Sequence, residues 1–162
     1  MNARALHLPL VLMMTLCIIA CDADDGSARA KSKPPAEPTT QPTSNMKISL
    51  KLREETLTAT LYDNPTAKEF ASLLPLTLTL EDYSKTEKIS DLPRKLTKEG
   101  APAGAYPSAG DIAYYAPWGN LAVFLKDFEY SSGLVLLGKV DSGLDALNRP
   151  GPLEVTLERV EE

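Results

Sequence analysis

A predicted β-hairpin at residues 110–125 constrains the fold of this chain more than any other stretch. The segment reads GDIAYYAPWGNLAVFL, with an apolar run on each side of a short break that contains Pro117 and Gly119. β-Branched and aromatic residues favour strands, whereas proline cannot donate to a central ladder and glycine tolerates positive φ, so the chain turns at the break. The turn also carries Trp118, the only tryptophan in the sequence.

Alternating apolar and polar residues predict further strands before and after this hairpin. The predicted strands lie at residues 46–52, 56–61, 76–80, 134–140 and 153–158. Asn64 and Pro65 predict the start of a helix that continues to Pro75, and a second, short helix is predicted at 142–147. Residues 84–109 show no regular pattern, and irregular segments of that length are often functional. About seven or eight strands with two short helices predict a mainly β fold, a closed or nearly closed barrel.

Composition limits the number of domains and the kinds of chemistry. A chain of 162 residues with 43% hydrophobic content can bury one core of ordinary size. The formal net charge of −5 argues against a nucleic-acid partner, because binding to a polyanion requires clustered Lys and Arg. His7 is the only histidine, and Cys17 and Cys21 are the only cysteines. A domain that begins after residue 45 therefore lacks Ser-His-Asp, Cys-His and His-ligated zinc sites.

The first 20 residues predict an export signal. They contain an apolar stretch that is too short to span a bilayer as a stable helix, which is typical of a secretory signal peptide. The stretch ends in IIAC at residues 18–21, which resembles the bacterial lipoprotein signal, in which the cysteine is lipidated and becomes the new N-terminus. Cys21 is therefore the predicted lipidation site. An ordinary cleaved signal or an uncleaved anchor is the alternative interpretation.

Residues 21–45 predict a disordered tether between the lipidated cysteine and the folded domain. After Cys21 this segment has no large apolar residue, so it cannot bury enough surface to offset the entropy of ordering. The folded domain is predicted at residues 46–162. The protein is accordingly expected outside the cytoplasm, anchored to a membrane through its N-terminal lipid, at the periplasmic face or the cell surface.

Three segments resemble one known family. They are LYDNPTAKEFASLLPLTLTLEDYSKTEKISDLPRKL at 61–96, AGDIAYYAPWGNLAVFLKDF at 109–128 and LGKVDSGLDAL at 137–147. These segments resemble the bacterial cyclophilin-like family, small barrels related in fold to the peptidyl-prolyl isomerases. The resemblance implies a closed β-barrel of about eight strands with two short helices. It does not imply isomerase activity, because the Phe-His-Arg and Gln-Gly-Gly-Asp elements of true cyclophilins are missing.

Four side chains are candidates for ligand binding. Arg94 is flanked by apolar residues, and a guanidinium in such a setting can hold a carboxylate or a peptide carbonyl by paired hydrogen bonds. Tyr115 and Trp118 offer flat apolar area with a polar edge, which suits a proline ring or an aromatic ligand. Asn120 can present an amide to a ligand. The competing interpretation is a surface ion pair for Arg94, rim packing for the aromatic pair and turn geometry for Asn120.

The function predicted from these features is the binding of a peptide or small molecule by a lipid-anchored cyclophilin-like domain. Two alternatives stay open, a divergent peptidyl-prolyl isomerase and a structural protein of the cell envelope. Isomerisation needs only desolvation and a hydrogen bond that eases rotation about the amide, so the lack of histidine does not exclude it. No catalytic residue, cofactor or metal site is predicted, since the acids at 63 and 81–82 lack a recognisable metal-loop spacing.

Overall fold

The computed structural model describes residues 46–160 of the chain. Within that range the chain forms ten β-strands, one α-helix and one 3₁₀ helix. In chain order these elements are β1 (Lys47–Lys51), β2 (Thr56–Leu61), α1 (Pro65–Ala71), β3 (Leu76–Tyr83), β4 (Glu87–Asp91), β5 (Gly104–Ala105), β6 (Asp111–Tyr115), β7 (Asn120–Phe124), β8 (Ser131–Ser132), β9 (Leu134–Ser142), the 3₁₀ helix (Leu144–Leu147) and β10 (Leu153–Arg159).

Eight of the strands described close into one antiparallel barrel. Their order around the barrel is β1-β10-β3-β4-β7-β6-β9-β2, and β2 pairs with β1 to complete the ring. Strands β5 and β8 pair only with each other and form a separate two-stranded sheet. The barrel confirms the predicted mainly β fold with about eight strands. Of the two predicted short helices, the first is α1 and the second is the 3₁₀ helix.

Strands β6 and β7 form the predicted hairpin. Ile112 pairs with Val123 near its open end, and Tyr115 pairs with Asn120 beside the turn. Gly119 in the turn has a φ of 81°, and its N–H donates to the carbonyl oxygen of Tyr115 at 2.8 Å. Glycine adopts positive φ without steric strain, so this residue lets the chain reverse within a few positions.

Both faces of this hairpin are apolar. Its inward side chains belong to the main barrel core, and they are Ile112, Tyr114, Leu121 and Val123. Its outward side chains form a second apolar cluster together with a residue of β9, and this cluster consists of Ala113, Ala122, Phe124 and Leu134. Where the outer face of a barrel strand contacts only water, its outward positions are normally polar. The outward cluster therefore marks a part of the surface that other groups contact.

Helix α1 packs its apolar face into the barrel core. The side chain of Asn64 caps its start, because Oδ1 accepts a hydrogen bond from the N–H of Ala67 at 2.8 Å. The helix ends at Ala71, so the prediction that it continues to Pro75 is wrong. Pro75 has no N–H to donate to the carbonyl of Ala71. That carbonyl instead accepts two hydrogen bonds from the Arg159 guanidinium, at 3.0 and 2.7 Å.

Residues 84–109 contain strands β4 and β5, so the expectation of an irregular segment is wrong for this region. The pattern of apolar residues does not indicate strand β4, because the inward residue of this strand is a lysine. Lys88 is fully buried, and its Nζ lies 2.7 Å from Oδ1 of Asp82. The same amine donates to the carbonyl oxygens of Arg149 and Gly151, at 2.6 and 2.9 Å. An apolar pattern could not reveal a strand whose buried position is charged.

Several predictions concern parts of the chain outside the described residues. These are the signal peptide at 1–20, the lipidation of Cys21 and the tether at 21–45. Within residues 46–160, no helix is long and apolar enough to cross a membrane. The same range holds no group of three or more His, Cys, Asp or Glu side chains placed to hold a metal ion.

Candidate ligand-binding cleft

The outer face of strands β4, β7 and β6 carries a cleft. One edge is a row of direct cross-strand partners, Tyr83 of β3, Glu87 of β4 and Phe124 of β7. The other edge lies four residues away along β7, where Asn120 pairs with Tyr115 of β6. Strands rise about 3.3 Å per residue, which separates the two edges by about 13 Å.

Small side chains lower the floor between these edges. Ala122 lies midway along β7, and its cross-strand partners are Ile89 of β4 and Ala113 of β6. An alanine projects only a methyl group from the sheet, so the longer side chains of the two edges rise above it. The result is a cavity of about 210 Å³ whose lining includes Ile89 and Ala122.

Trp118 forms an aromatic wall over this floor. Its ring centroid lies 5.6 Å from that of Tyr83 and 5.5 Å from that of Tyr115, with interplanar angles of 83° and 80°. The two tyrosines stand on opposite edges of the cleft, so the indole reaches back from the hairpin turn across the outer face of the sheet. Edge-to-face packing of this kind is favourable for aromatic rings. Trp118 nevertheless remains 56% exposed, so much of the indole is accessible.

A second wall comes from the segment that follows β7. It contributes Phe128 and Ser131, and the Phe128 ring lies 6.4 Å from the ring of Phe124. Backbone hydrogen bonds hold this segment to its surroundings. The N–H of Phe128 donates to the carbonyl of Pro107 at 2.9 Å, and the N–H of Gly133 donates to that of Ala103 at 2.7 Å. These bonds connect the wall to the segment that contains β5.

A close backbone approach fixes the position of this wall. Gly104 of β5 faces β8, and a Cβ built on it would lie 2.3 Å from the carbonyl oxygen of Ser131 and 2.8 Å from the Tyr130 ring. Real Cβ atoms are not found at such distances, so β8 can come this near only because residue 104 has no side chain. The two-stranded sheet thus depends on a glycine at this point.

The cavity brings together three of the four side chains that the sequence singles out, Tyr115, Trp118 and Asn120. The complete lining consists of Tyr83, Glu87, Ile89, Tyr115, Trp118, Asn120, Ala122, Phe124, Phe128, Ser131 and Leu134. Aromatic and aliphatic side chains dominate this set, and only a few polar groups lie among them. That composition is typical of pockets for small molecules and peptide side chains.

Asn120 supplies a polar group in the lining of the cleft. The residue is 3% exposed, and its Oδ1 is buried with no hydrogen-bond partner among the described residues. Buried polar atoms in native proteins are nearly always paired, and an orphaned acceptor calls for an explanation. A donor that arrives with a ligand provides one.

Glu87 supplies the charge of the cleft. Its side chain is half-buried between Tyr83 and Phe124, its direct partners on the neighbouring strands. Burial raises the pKa of this carboxyl, because the ionised form loses hydration in the apolar cleft. No lysine or arginine of residues 46–160 forms an ion pair with it.

Arg94 does not line the cavity. Its guanidinium forms an ion pair with Glu69 of α1 and donates to Oγ of Ser72 at 3.3 Å. The second carboxylate oxygen of Glu69 accepts the N–H of Thr97 at 2.5 Å. This backbone hydrogen bond, with the Arg94 contact, holds the pKa of Glu69 below its usual value. In the structure Arg94 and Glu69 therefore tie the segment after β4 to the helix.

Eight of the eleven lining residues are not singled out by the sequence, among them Tyr83, Glu87 and Phe128. Tyr83 and Glu87 flank the turn between β3 and β4, and β4 itself was not predicted. Phe128 lies in a segment without regular pattern. The pairing of β4 with β7 brings Glu87 to Phe124, which are far apart along the chain. Only recognition of β4 as a strand could have placed Glu87 beside the hairpin.

The closed antiparallel barrel with an aromatic cleft on its outer face defines a small β-barrel domain. A sequence model of the Cyclophilin-like family matches residues 50–158. The chain therefore belongs to the cyclophilin-like family, and the resemblance seen in the sequence is confirmed. No curated protein matches the sequence.

Solved structures similar to the barrel include the solution structure of the hypothetical protein AF2241 from Archaeoglobus fulgidus, with a TM-score of 0.54 and 16% sequence identity. The match covers 73% of this chain and 97% of that chain. At this level of identity the similarity shows the fold alone.

Proposed function

We propose that this protein is a lipid-anchored, extracytoplasmic domain whose outer cleft binds a peptide or a small molecule. The observation that carries the proposal is the orphaned Oδ1 of Asn120, a residue that lines the aromatic cleft. The ligand brings an N–H or O–H to this oxygen. It also presents an apolar ring, such as a proline ring or an aromatic group, to Trp118 and Tyr115.

The energetic basis is the unpaired acceptor. A buried polar atom without a partner costs about 1–3 kcal/mol of stability. A ligand donor that pairs with Asn120 removes this cost, and each 1.4 kcal/mol corresponds to about a tenfold change in affinity. Ligands that only fill the apolar part of the cleft do not make this hydrogen bond. The Asn120 amide therefore favours ligands that carry a donor over ligands that do not.

The rigidity of the walls supports the same proposal. The hairpin turn is held by the Gly119 hydrogen bond, and the second wall by the bonds from Phe128 and Gly133. Pre-formed sites lose little conformational entropy when a ligand binds. Affinity can therefore come from a cavity of modest size.

The anchor rests on the sequence of residues 1–21. Cys21 stands at the border between the apolar stretch and the tether, where a lipoprotein signal places its modified residue. We expect the wild-type protein to partition into detergent and Cys21→Ala to accumulate as an unmodified precursor or a soluble product. Mass measurement of the mature N-terminus checks this, and an unmodified Cys21 in released wild-type protein would overturn the anchor.

Trp118 fluorescence tests the cleft. We expect short proline-containing peptides, such as acetyl-Ala-Pro-amide, or members of a panel of aromatic metabolites to quench or shift it. Asn120→Leu keeps the volume but removes the acceptor, so its thermal midpoint should equal or exceed that of the wild type while the ligand response falls. Asn148→Leu makes the same change at an exposed position outside the cleft and should leave the response intact.

Two results decide against this function. If Asn120→Leu responds like the wild type, the amide does not hold the ligand. If no peptide or metabolite alters Trp118 fluorescence or the thermal midpoint, the cleft is not a binding site. A structural role for the domain is then favoured. Proline cis/trans exchange is measured in the same samples. Exchange that stays at the uncatalysed tens of seconds indicates binding alone, and faster exchange indicates an isomerase.

A further inference from the structure

Glu87 differs from the other acids that are partly or fully buried in residues 46–160. Asp111 pairs with a lysine at 3.0 Å, Glu158 pairs with a lysine at 2.6 Å, and Glu69 pairs with an arginine. Glu87 is half-buried in the same way but has no cation from the described part of the chain. A carboxylate that loses hydration without an opposite charge destabilises the protein. The missing cation is therefore a property of this cleft.

The aromatic rings around Glu87 suit a cation. Tyr83 is the direct cross-strand partner of Glu87, and its ring is nearly perpendicular to that of Trp118, which is nearly perpendicular to that of Tyr115. All four side chains line one cavity. The face of an aromatic ring carries negative potential and attracts organic cations, and rings set at right angles form the walls of cages for quaternary ammonium groups.

We infer that the cleft selects a ligand that carries an organic cation, a protonated amine or a quaternary ammonium, between the Glu87 carboxylate and the rings of Tyr83 and Trp118. The inference rests on the proposed function, because it names the chemical class of the ligand for the same cleft. The hydrogen-bond donor of that ligand reaches Asn120 at the other edge. The two contacts together fix its orientation along the strands.

Charge complementarity separates this ligand class from neutral ones. A neutral ligand would cover Glu87 and remove more of its hydration without supplying an opposite charge, which makes binding less favourable. A cationic ligand supplies an opposite charge to the Glu87 carboxylate when it displaces water from it. Burial already raises the pKa of Glu87, which shows that the cleft disfavours an uncompensated charge. The site should consequently prefer a cation to a neutral molecule of the same shape.

Matched probes test this preference. Choline and 3,3-dimethyl-1-butanol have the same shape and differ in the charge of one atom, so their affinities compare charge alone. We expect choline to bind about tenfold tighter, a difference of about 1.4 kcal/mol. Trp118 fluorescence and thermal shift of the full chain report both affinities. An acetylated trimethyllysine amide, compared with its norleucine analogue, distinguishes a peptide source of the cation from a free amine, and a preference for either cation supports the inference.

Glu87→Gln identifies the residue responsible. The amide has nearly the same shape without the charge, so we expect choline and its neutral analogue to bind equally to this variant. Glu154→Gln is the control, because it removes the same charge at an exposed position on β10. It should retain the preference for choline, apart from any change due to net charge.

The outcomes separate this inference from the proposed function. If the proline peptides or neutral probes bind as tightly as the cations, the selection of a cation is overturned and the binding function stands. If Glu87→Gln keeps the preference for choline, Glu87 is not its source and the inference is also overturned. If no probe of either kind binds, the proposed function fails together with it.

Discussion

The Nζ of Lys88 lies 2.7 Å from Oδ1 of Asp82, in an ion pair whose lysine is fully buried and whose acid is partly exposed. Two backbone carbonyls, those of Arg149 and Gly151, accept the remaining hydrogen bonds of the amine. An ammonium group has three N–H donors, so each of them has an acceptor within the protein. Lys88 thereby joins β4 to β3 and to the segment that precedes β10.

Removing the Lys88 side chain should destabilise the barrel strongly. Lys88→Ala leaves a cavity, unpairs Asp82 and frees two carbonyls, and we expect the free energy of unfolding to fall by about 3 kcal/mol or more. Lys88→Met fills much of the volume, so its free energy of unfolding should fall by less. Urea denaturation measures both, with Lys98→Ala as a control at an exposed lysine. A loss in Lys88→Ala as small as in Lys98→Ala would show that these contacts do not stabilise the fold.

Glu87 should make the stability of the barrel depend on pH in a defined direction. Burial raises its pKa above the ordinary value of 4.5, so the folded chain holds this proton more tightly than the unfolded chain. Stability from this group is therefore present at low pH and is lost as the pH rises through the raised pKa. Glu87→Gln avoids that loss. We expect its free energy of unfolding to exceed the wild-type value at about pH 7, and the difference to shrink below about pH 4.

Denaturant titrations at both pH values measure this difference, again with Glu154→Gln as the control. The control should show little change at either pH, because its side chain is exposed. A Glu87→Gln variant that is less stable than the wild type at neutral pH would contradict the prediction. It would mean that the carboxylate has a stabilising partner in the ligand-free protein.

Ala122 should be the position at which the cleft can be closed from its floor. Leucine at 122 would project into the cavity of about 210 Å³ that lies over the alanine. We expect Ala122→Leu to abolish the ligand response of Trp118 while the barrel still unfolds cooperatively. Ala122→Ser, which leaves the space open, should keep the response. Equal responses from the two variants would place the ligand elsewhere on the protein.

Arg94 should influence local structure more than ligand affinity. Its partners are Glu69 and Ser72, and it is largely solvent-exposed, so Arg94→Ala should lower stability only slightly. Peptide binding measured through Trp118 should stay unchanged. Glu69→Gln is the comparison, because it weakens both the Arg94 pair and the hydrogen bond from Thr97. A marked fall in peptide affinity for Arg94→Ala alone would restore the binding role that the sequence suggests.

Most of the barrel could be predicted from the sequence because burial on one face imposes a period of two. The strands around Leu50, Leu78 and Val155 show that period, and the Pro117 to Gly119 break locates the hairpin turn. β4 could not be found in this way, because the residue that it buries is Lys88. An apolar pattern identifies a buried position only when the buried side chain is itself apolar.

The candidate site was predictable in part for a related reason. Tyr115, Trp118 and Asn120 lie next to one another along the chain, so a single hairpin brings them together. Glu87 and Tyr83 reach them through the pairing of β4 with β7, which joins two segments that are distant along the chain. Arg94 is a candidate for ligand binding in the sequence because its neighbours are apolar, yet its guanidinium contacts an acid on α1. Local sequence does not show which acid an arginine will meet.

The absence of a side chain at Gly104 separates the width of the cleft from the stability of the barrel. The wall that contains Ser131 rests on the two-stranded sheet, in which β8 lies close to Gly104, and the carbonyl of Gly133 joins this wall to the hairpin by accepting the N–H of Ala116 at 3.1 Å. A side chain at position 104 would displace β8 and, with it, Ser131. Proteins with this barrel can thus differ in the shape of this cleft through changes in a few residues of a surface segment, while the eight strands and their interior stay the same.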